Sequence, residues 1–257
     1  MSRPDLAASV AAVHTYVRYL QQLGVTELPI TIPPLVQTAA RASGASLKAA
    51  APPKEAATVS PQPPPVPTET SPSPAVRLAQ LAAEVRHCSQ CRLHTGRTQV
   101  VFGTGDPLAR LVFVGEAPGR EEDRQGEPFV GPAGQLLNRI IAAIGLTREQ
   151  VYILNVVKCR PPNNRNPEAD EIAACWPILE RQLACLQPEI ICALGTFAAQ
   201  TLLRTDEKIS RLRGRLHPFG ALQLMPTYHP AFLLRNPQYK RAVWEDMQII
   251  QRTLGLV

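Results

Sequence analysis

Long apolar runs are missing from this chain of 257 residues: nowhere do 18 consecutive apolar residues occur. The N-terminus also lacks a positively charged start followed by a short apolar block and a cleavage site. The first absence argues against a transmembrane helix, and the second argues against a secretory signal peptide. We therefore expect a cytoplasmic protein without a membrane partner.

Two common phosphate-binding motifs are missing as well. The glycine-rich segment GEAPGREEDRQGEPFVGPAG, at 115–134, contains no Gly-Lys-Ser/Thr, and its glycines do not have the spacing of a dinucleotide fingerprint. Its acidic residues, Glu116 and Glu122 among them, would repel a pyrophosphate. The segment is therefore predicted to face something other than phosphate. The alternative is a solvated acidic turn with Phe129 buried in the core.

A proline-rich stretch divides the chain. Residues 51–75 hold nine prolines and almost no large apolar side chain, which is typical of an extended linker. Ahead of it, apolar residues recur at three- and four-residue steps within 5–23, as in an amphipathic helix. We predict a helical segment at 1–24 that could bind a protein partner, a linker at 25–75 and a folded domain at 76–257.

After the linker, short apolar runs alternate with helical patterns. The runs at 111–115, 151–157, 189–195 and 222–227 read as buried strands, and helices are predicted near 133–145, 168–186, 196–204 and 238–253. Strands that are apolar throughout are typical of a parallel sheet covered on both faces. We predict a three-layer α/β/α sandwich around a central, mainly parallel four-stranded sheet.

Polar segments follow three of the predicted strands. The glycine-rich segment follows the first, Asn155 ends the second, and TYHPAFLLRNP, at 227–237, follows the fourth. Ligands bind beyond the carboxyl ends of such strands, so these segments are predicted to form one site. There, His229 is suited to donate a hydrogen bond to a leaving group, although a lone loop histidine is often only a surface residue.

Six cysteines remain, and four of them have spacing suited to a metal centre. Cys88 and Cys91 form a C-x-x-C pair, while Cys159 and Cys175 flank the polar loop RPPNNRNPEADEIAA. Four thiolates can bind zinc or an iron–sulfur cluster, and His87 and His94 would also permit mixed zinc ligation. The other two cysteines, Cys185 and Cys192, lie in apolar patterns typical of buried bystanders.

Four motifs together resemble the iron–sulfur uracil-DNA glycosylases, the family 4 members of their superfamily. They are CSQCRLHTGRTQVVFG, VGEAPGREEDRQGEPFVGPAGQLLNRI, NVVKCRPPNNRNP and YHPAFLLRNP, in that order. The resemblance covers about 78–255 and leaves 1–75 out. It implies removal of uracil from single- and double-stranded DNA, by an enzyme that we expect to be monomeric. It also implies one [4Fe-4S] cluster, bound by Cys88, Cys91, Cys159 and Cys175.

The resemblance further implies roles in binding and releasing the base. Phe129 would stack on uracil, and the amide of Asn155 would pair with its imide edge and reject cytosine. His229 would stabilise the uracil anion as the glycosidic bond breaks. Glu116, Ala117 and Pro118 would line the uracil pocket.

Three assignments stay open at the level of sequence. Better-known uracil glycosylases have an aspartate near Ala117, so the residue that orients the attacking water is Glu116, Glu122 or Asn164. A related branch that is trapped on its product has a glutamine at the position of Ala117, so ordinary turnover is expected here. The candidates for contact with DNA phosphates are Arg165, Arg235, Asn236 and Lys240.

Two other functions fit the same motifs. One is a non-catalytic iron–sulfur module that binds DNA. The other is a glycosylase of the same superfamily that prefers another deaminated base. The presence of Asn155 after the second strand favours uracil over this alternative.

Overall fold

A computed structural model describes residues 72–256. The predicted helix within 1–24, and almost all of the predicted linker at 25–75, lie outside the described residues. The helices are α1 Pro74–Val85, α2 Arg120–Gln125, α3 Pro132–Ala143, α4 Ala169–Leu186, α5 Thr196–Leu203, α6 Ile209–Leu212, α7 Pro230–Arg235 and α8 Lys240–Thr253. The strands are β1 Thr104–Gly105, β2 Leu111–Gly115, β3 Tyr152–Asn155, β4 Ile190–Leu194, β5 His217–Phe219 and β6 Leu222–Thr227.

The strands form one sheet in the order β1-β3-β2-β4-β6-β5. The four inner strands are mutually parallel and are those predicted from the apolar runs, which confirms the mainly parallel sheet. Two further strands, β1 and β5, pair antiparallel at the edges. They span only two and three residues, too few to show a period-two pattern in sequence.

Both faces of the sheet are covered, because successive strand residues point to opposite sides. Val112 and Val114 pack into a cluster with residues of α1, α4 and α5. Leu111 and Phe113 pack on the other face with residues of α3 and α8. The predicted three-layer arrangement is therefore confirmed, and the burial on both faces explains why these strands have no polar alternation.

The carboxyl ends of the inner strands meet at one edge of the sheet. β2 ends at Gly115 opposite Asn155, the last residue of β3. At the end of β6, the buried Thr227 donates to the carboxylate of Asp246 in α8 at 2.6 Å, and Arg213 also donates to Asp246. These bonds anchor the chain just before His229, so the loop that follows β6 starts from a fixed point.

Across the described ranges, no helix combines the length and the apolar character needed to cross a membrane.

Candidate active site and cysteine pocket

A cavity of about 440 Å³ opens at this edge of the sheet. Ten of its lining residues were predicted from sequence as site residues, so the structure brings together segments that are far apart in the chain. The predicted residues at the cavity are Glu116, Ala117, Pro118, Glu122, Phe129, Asn155, Asn164, Arg165, His229 and Arg235.

Asn155 lies at the base of this cavity and is almost fully buried. Its side-chain Oδ1 has no hydrogen-bond partner among the described residues. Space for the amide comes from Gly115, because a Cβ there would collide with Asn155 Oδ1 and would lie 2.6 Å from Cζ of Phe129. A buried polar atom without a partner is costly, and it is commonest where a ligand supplies the missing group.

Phe129 is held in a backbone conformation that phenylalanine rarely adopts, with a φ of 53°. Three contacts hold it there. Arg148 donates to the carbonyl of Phe129 at 3.2 Å, and Glu122 accepts from the two amides that follow, those of Val130 and Gly131, at 3.0 Å each. A side chain at Gly134 would overlap the Phe129 carbonyl. Strain that is stabilised from several sides is typical of a functional position.

His229 faces Phe129 with 5.5 Å between ring centroids. Its Nδ1 accepts the backbone N–H of Ala231 at 3.1 Å, so the proton of the neutral ring is on Nε2. Burial, and then the charge of Arg235, lower the pKa of His229 to about 4. At neutral pH the ring is therefore an uncharged hydrogen-bond donor through Nε2.

Glu116 is the first residue after β2 and lies on the cavity wall. Burial raises the pKa of its carboxyl to about 7. Its carboxylate makes no hydrogen bond or ion pair within residues 72–256. A carboxylate that is unpaired and titrates near neutral pH has the properties of a general base.

The other two candidates for orienting water are engaged with the protein. The Oε1 of Glu122 accepts the two amide bonds that hold the loop after Phe129. The Oδ1 of Asn164 accepts from Nε of Arg160 at 2.7 Å. Both side chains lie on the cavity wall, and both have a structural partner there.

The predicted phosphate-contacting residues are divided by the structure. Arg235 is exposed at the cavity, whereas Arg165 at the cavity wall donates to the buried carboxylate of Glu171 at 2.6 and 2.8 Å. Asn236 uses its Nδ2 to donate to the backbone carbonyl of Phe232 at 3.1 Å. Neither Asn236 nor Lys240 lines the cavity.

A second pocket brings together the four predicted cysteine ligands, Cys88, Cys91, Cys159 and Cys175. His94 also lines this pocket, but its Nδ1 is bonded to the carbonyl of Cys91 at 2.8 Å. No group of three or more His, Cys, Asp or Glu side chains in the described part is arranged around a single metal-ion position. Cys192 is buried in β4 and Cys185 lies outside the pocket, as expected for bystanders.

Donors from the chain point at the pocket sulfurs. Arg97 donates to Sγ of Cys159 at 3.1 Å, and the backbone N–H of Lys158 donates to Sγ of Cys175 at 3.3 Å. Burial raises the pKa of Cys159 to about 11 and also raises that of Cys175, while these donors act in the opposite direction. Such donors surround the sulfurs of iron–sulfur clusters. Lys158, a buried residue of this pocket, also donates from Nζ to the main-chain carbonyl of Asn155, whose side chain lines the cavity.

Comparison with known proteins agrees with this geometry. Residues 102–248 match the model of the uracil DNA glycosylase superfamily. A type-4 uracil-DNA glycosylase from Archaeoglobus fulgidus is 43% identical over 186 residues, covering 69% of this chain and 94% of the relative. One from Thermotoga maritima is 45% identical, covering 66% of this chain and 92% of the relative. The chain belongs to the type-4 branch of this superfamily.

The type-5 branch is more distant from this type-4 chain. A type-5 uracil-DNA glycosylase from Thermus thermophilus is 33% identical, covering 50% of this chain and 68% of the relative. The family membership that the four motifs indicated is confirmed.

Several residues that shape the two pockets were missed by sequence reasoning. Arg148 holds the backbone of Phe129, Arg97 contacts a pocket sulfur, and Lys158 links the cysteine pocket to Asn155. Arg97 and Lys158 lie inside two of the four motifs, but sequence gives neither their partners nor the 62 residues between Arg97 and Cys159, and Arg148 lies outside the motifs. Gly115 and Gly134 also shape the cavity, and here the sequence did carry a signal. Both lie inside the glycine-rich segment, where a glycine often marks a close contact that a side chain would block.

Proposed function

We propose that this type-4 chain removes uracil from DNA by hydrolysing the N-glycosidic bond, which releases free uracil and leaves an abasic site for repair. The observation that carries the proposal is the buried, unpaired Oδ1 of Asn155, in one cavity with the ring of Phe129 and the neutral imidazole of His229. These three groups match a flat base with an imide edge and a carbonyl that becomes anionic on departure.

Recognition would begin at Asn155. Its Oδ1 would accept the N3–H of uracil and its Nδ2 would donate to the O4 carbonyl, while Phe129 stacks on the ring. Cytosine has an acceptor at N3 and a donor at the four-position, so the same amide would face two mismatched groups. Leaving a buried oxygen unpaired costs about 1–3 kcal/mol, which discriminates against cytosine.

Bond cleavage would depend on His229. As the bond between the sugar C1′ and uracil N1 breaks, its electron pair moves to the base and negative charge develops on O2. The Nε2–H of the neutral ring would donate to that oxygen, with its orientation fixed by the bond from the Ala231 amide to Nδ1. A preorganised donor of this kind typically contributes a factor of about 10² to 10³ in rate.

Among the three candidates for orienting water, Glu116 has the best support. Its carboxylate is free of bonds to the described residues, whereas Glu122 and Asn164 are already partnered. Glu116 would accept a proton from the water that adds to C1′, which requires its ionised form. Glu122 would then act as a positioning residue for Phe129.

Binding of the DNA strand would use the cations at the cavity. Arg235 has the most exposed position of the four candidates, and Arg165 would contribute while it remains paired with Glu171. Asn236 and Lys240, farther out, stay proposals for phosphate contacts. Loss of a true phosphate contact should reduce the slope of log affinity against log salt by about one unit.

We propose that the cysteine pocket binds one [4Fe-4S] cluster, with Cys88, Cys91, Cys159 and Cys175 as ligands. Support comes from the all-thiolate donor set and from the N–H donors on two of its sulfurs. When bound, the cluster would cross-link the segment after α1, helix α4 and the loop after β3. Iron and sulfide analysis of the purified protein, against zinc analysis, separates this proposal from the zinc alternative.

The cellular setting is also a proposal. We infer a monomeric enzyme of the cytoplasm, and the amphipathic pattern within 5–23 supports a protein partner for that segment.

The test is formation of abasic sites on oligonucleotides with one uracil, single- and double-stranded, beside identical strands with thymine or hypoxanthine. We expect cleavage at uracil alone. Release of hypoxanthine or mismatched thymine in preference to uracil would instead support a glycosylase for another base. DNA binding without release of any base would support the non-catalytic module.

A further inference from the structure

Three aromatic side chains lie in contact beside the mouth of the cavity. Tyr228 stacks on Phe232 at 5.2 Å between centroids, and Tyr239 lies 5.0 Å from Tyr228 and 5.1 Å from Phe232. Phe232 lines the cavity, whereas Tyr239 is 37% exposed. The aromatic group therefore extends from the cavity wall to the protein surface.

The chain holds this group in one arrangement. Asn236 donates both its backbone N–H, at 2.9 Å, and its side-chain amide, at 3.1 Å, to the carbonyl of Phe232. The N–H of Tyr239 in turn donates to the carbonyl of Asn236 at 3.2 Å. This turn folds Tyr239 back onto Phe232. On the far side, the guanidinium of Arg213 lies 5.9 Å from the centre of the Tyr228 ring.

Positive charge surrounds the aromatic group. Arg235 is exposed at the cavity one turn of α7 beyond Phe232. Lys240 follows Tyr239 directly, and Arg139 of α3 is close enough for its charge to contribute, after burial, to a lowered pKa of Lys240. Tyr239 meets the stacked pair at 61° and 55°, so its own ring is the exposed one, and an exposed aromatic ring with cations beside it is typical of surfaces that bind unpaired nucleic-acid strands.

We propose that Tyr239, supported by the packed rings of Tyr228 and Phe232, forms a stacking surface for a base that neighbours the extruded uracil. The inference rests on the proposed function, since it needs a strand with uracil in the cavity. Phe232 lines the cavity and contacts Tyr239, so the aromatic group leads directly out of the cavity. This favours a base of the strand that carries the extruded uracil as the occupant. Every base has a flat face, so the surface would bind without sequence preference.

The test is a thermodynamic cycle between protein and DNA. The probe is a single-stranded oligonucleotide whose one uracil nucleotide carries a 2′-fluoro group that blocks hydrolysis. In two companion strands the 5′ or the 3′ neighbour of uracil is replaced by an abasic spacer. Tyr239→Ala should weaken binding of the full strand about 10-fold, within the range for loss of one base–aromatic stack.

The decisive result is non-additivity. For the strand that lacks the stacked neighbour, Tyr239→Ala should change affinity less than about 2-fold, because the interaction is already lost. Tyr239→Phe should bind like the unaltered chain. Tyr239→Leu keeps apolar bulk without a flat ring and should behave like Tyr239→Ala, which guards against a folding defect. Leu108→Ala is the control, since Leu108 is 71% exposed and lies before β2, at the opposite edge of the sheet.

Equal losses from Tyr239→Ala with all three strands would overturn the stacking surface, and so would unchanged affinity. The unaltered chain is assayed in parallel for uracil release from the same strands without the 2′-fluoro group. If uracil is released but the effects of Tyr239→Ala and of removing the neighbouring base are additive, the stacking surface is rejected and the proposed function stands. Absence of release rejects the proposed function and the stacking surface with it.

Discussion

The cavity and the cysteine pocket lie on either side of one short segment, 155–159, yet they are built differently. In the cavity, Phe129, Asn155 and His229 are placed by bonds and close contacts within the polypeptide, such as the amide of Ala231 on His229. In the cysteine pocket, thiols from three separate parts of the chain face one another, with apolar neighbours such as Val85 and Ile178 and with donors from Arg97 and Lys158. The cavity is thus organised by the fold itself, whereas the cysteine site would stabilise the fold through the cluster that we propose its thiols bind. Substitutions in one should change chemistry, and in the other should change stability.

The largest effect should come from His229 in the cavity. We expect His229→Ala to slow single-turnover release of uracil by about 10² to 10³, because the donor to the leaving group is lost. Affinity for DNA and the melting temperature should stay nearly constant. Rapid-quench measurement of uracil release, with thermal melting of the same preparation, checks both. An unchanged release rate would refute the role of His229.

The cysteine pocket should show the converse pattern. Cys175→Ser should abolish iron binding and lower the melting temperature by on the order of 10 °C, as expected when a metal centre that joins distant segments is lost. Cys185→Ser is the matched control, because Cys185 belongs to the same helix but lies outside the pocket. Iron analysis and thermal melting measure the two effects. Full iron retention in Cys175→Ser would exclude this cysteine as a ligand.

The smallest effect should appear in the pH dependence of stability. Burial raises the pKa of Glu116 to about 7, so its ionisation opposes folding: the stability present below pH 4.5 is lost as pH rises through about 7. Glu116→Gln removes this dependence. Between pH 5 and pH 8, its melting temperature relative to the unaltered chain should rise by about 2–4 °C, after solvent screening is considered. A constant difference across that range would show that the carboxyl is not desolvated.

Much of this architecture was predictable, because its signals are local. Buried parallel strands are apolar throughout, and the loops at their carboxyl ends carried the residues that the structure brings together, Asn155 and His229 among them. Helix α1 was missed since its start, Pro74, lies in a proline-rich region that reads as linker. The edge strands were missed because they are held by pairing with a neighbour rather than by their own pattern.

The roles of polar side chains were harder to predict than their positions. Arg165 and Asn236, both proposed to contact phosphate, also have partners within the protein: Arg165 pairs with Glu171 and Asn236 caps α7. Whether an arginine or an amide faces solvent depends on which tertiary partner comes within about 3 Å, and sequence spacing does not give that distance. The prediction for Arg235 stays compatible with its exposed position.

Lys158 lies in the cysteine pocket and also bonds to a residue of the cavity. Its ammonium is buried beside the cysteines and donates to the main chain of Asn155, while its own N–H supports Cys175. Burial lowers the pKa of this amine to about 8, and the neighbouring sulfurs of Cys175 and Cys159 oppose that shift, so its charge depends on both sides of the segment. Loss of the cysteine sulfurs would therefore act on the backbone of Asn155 as well as on the pocket that contains them.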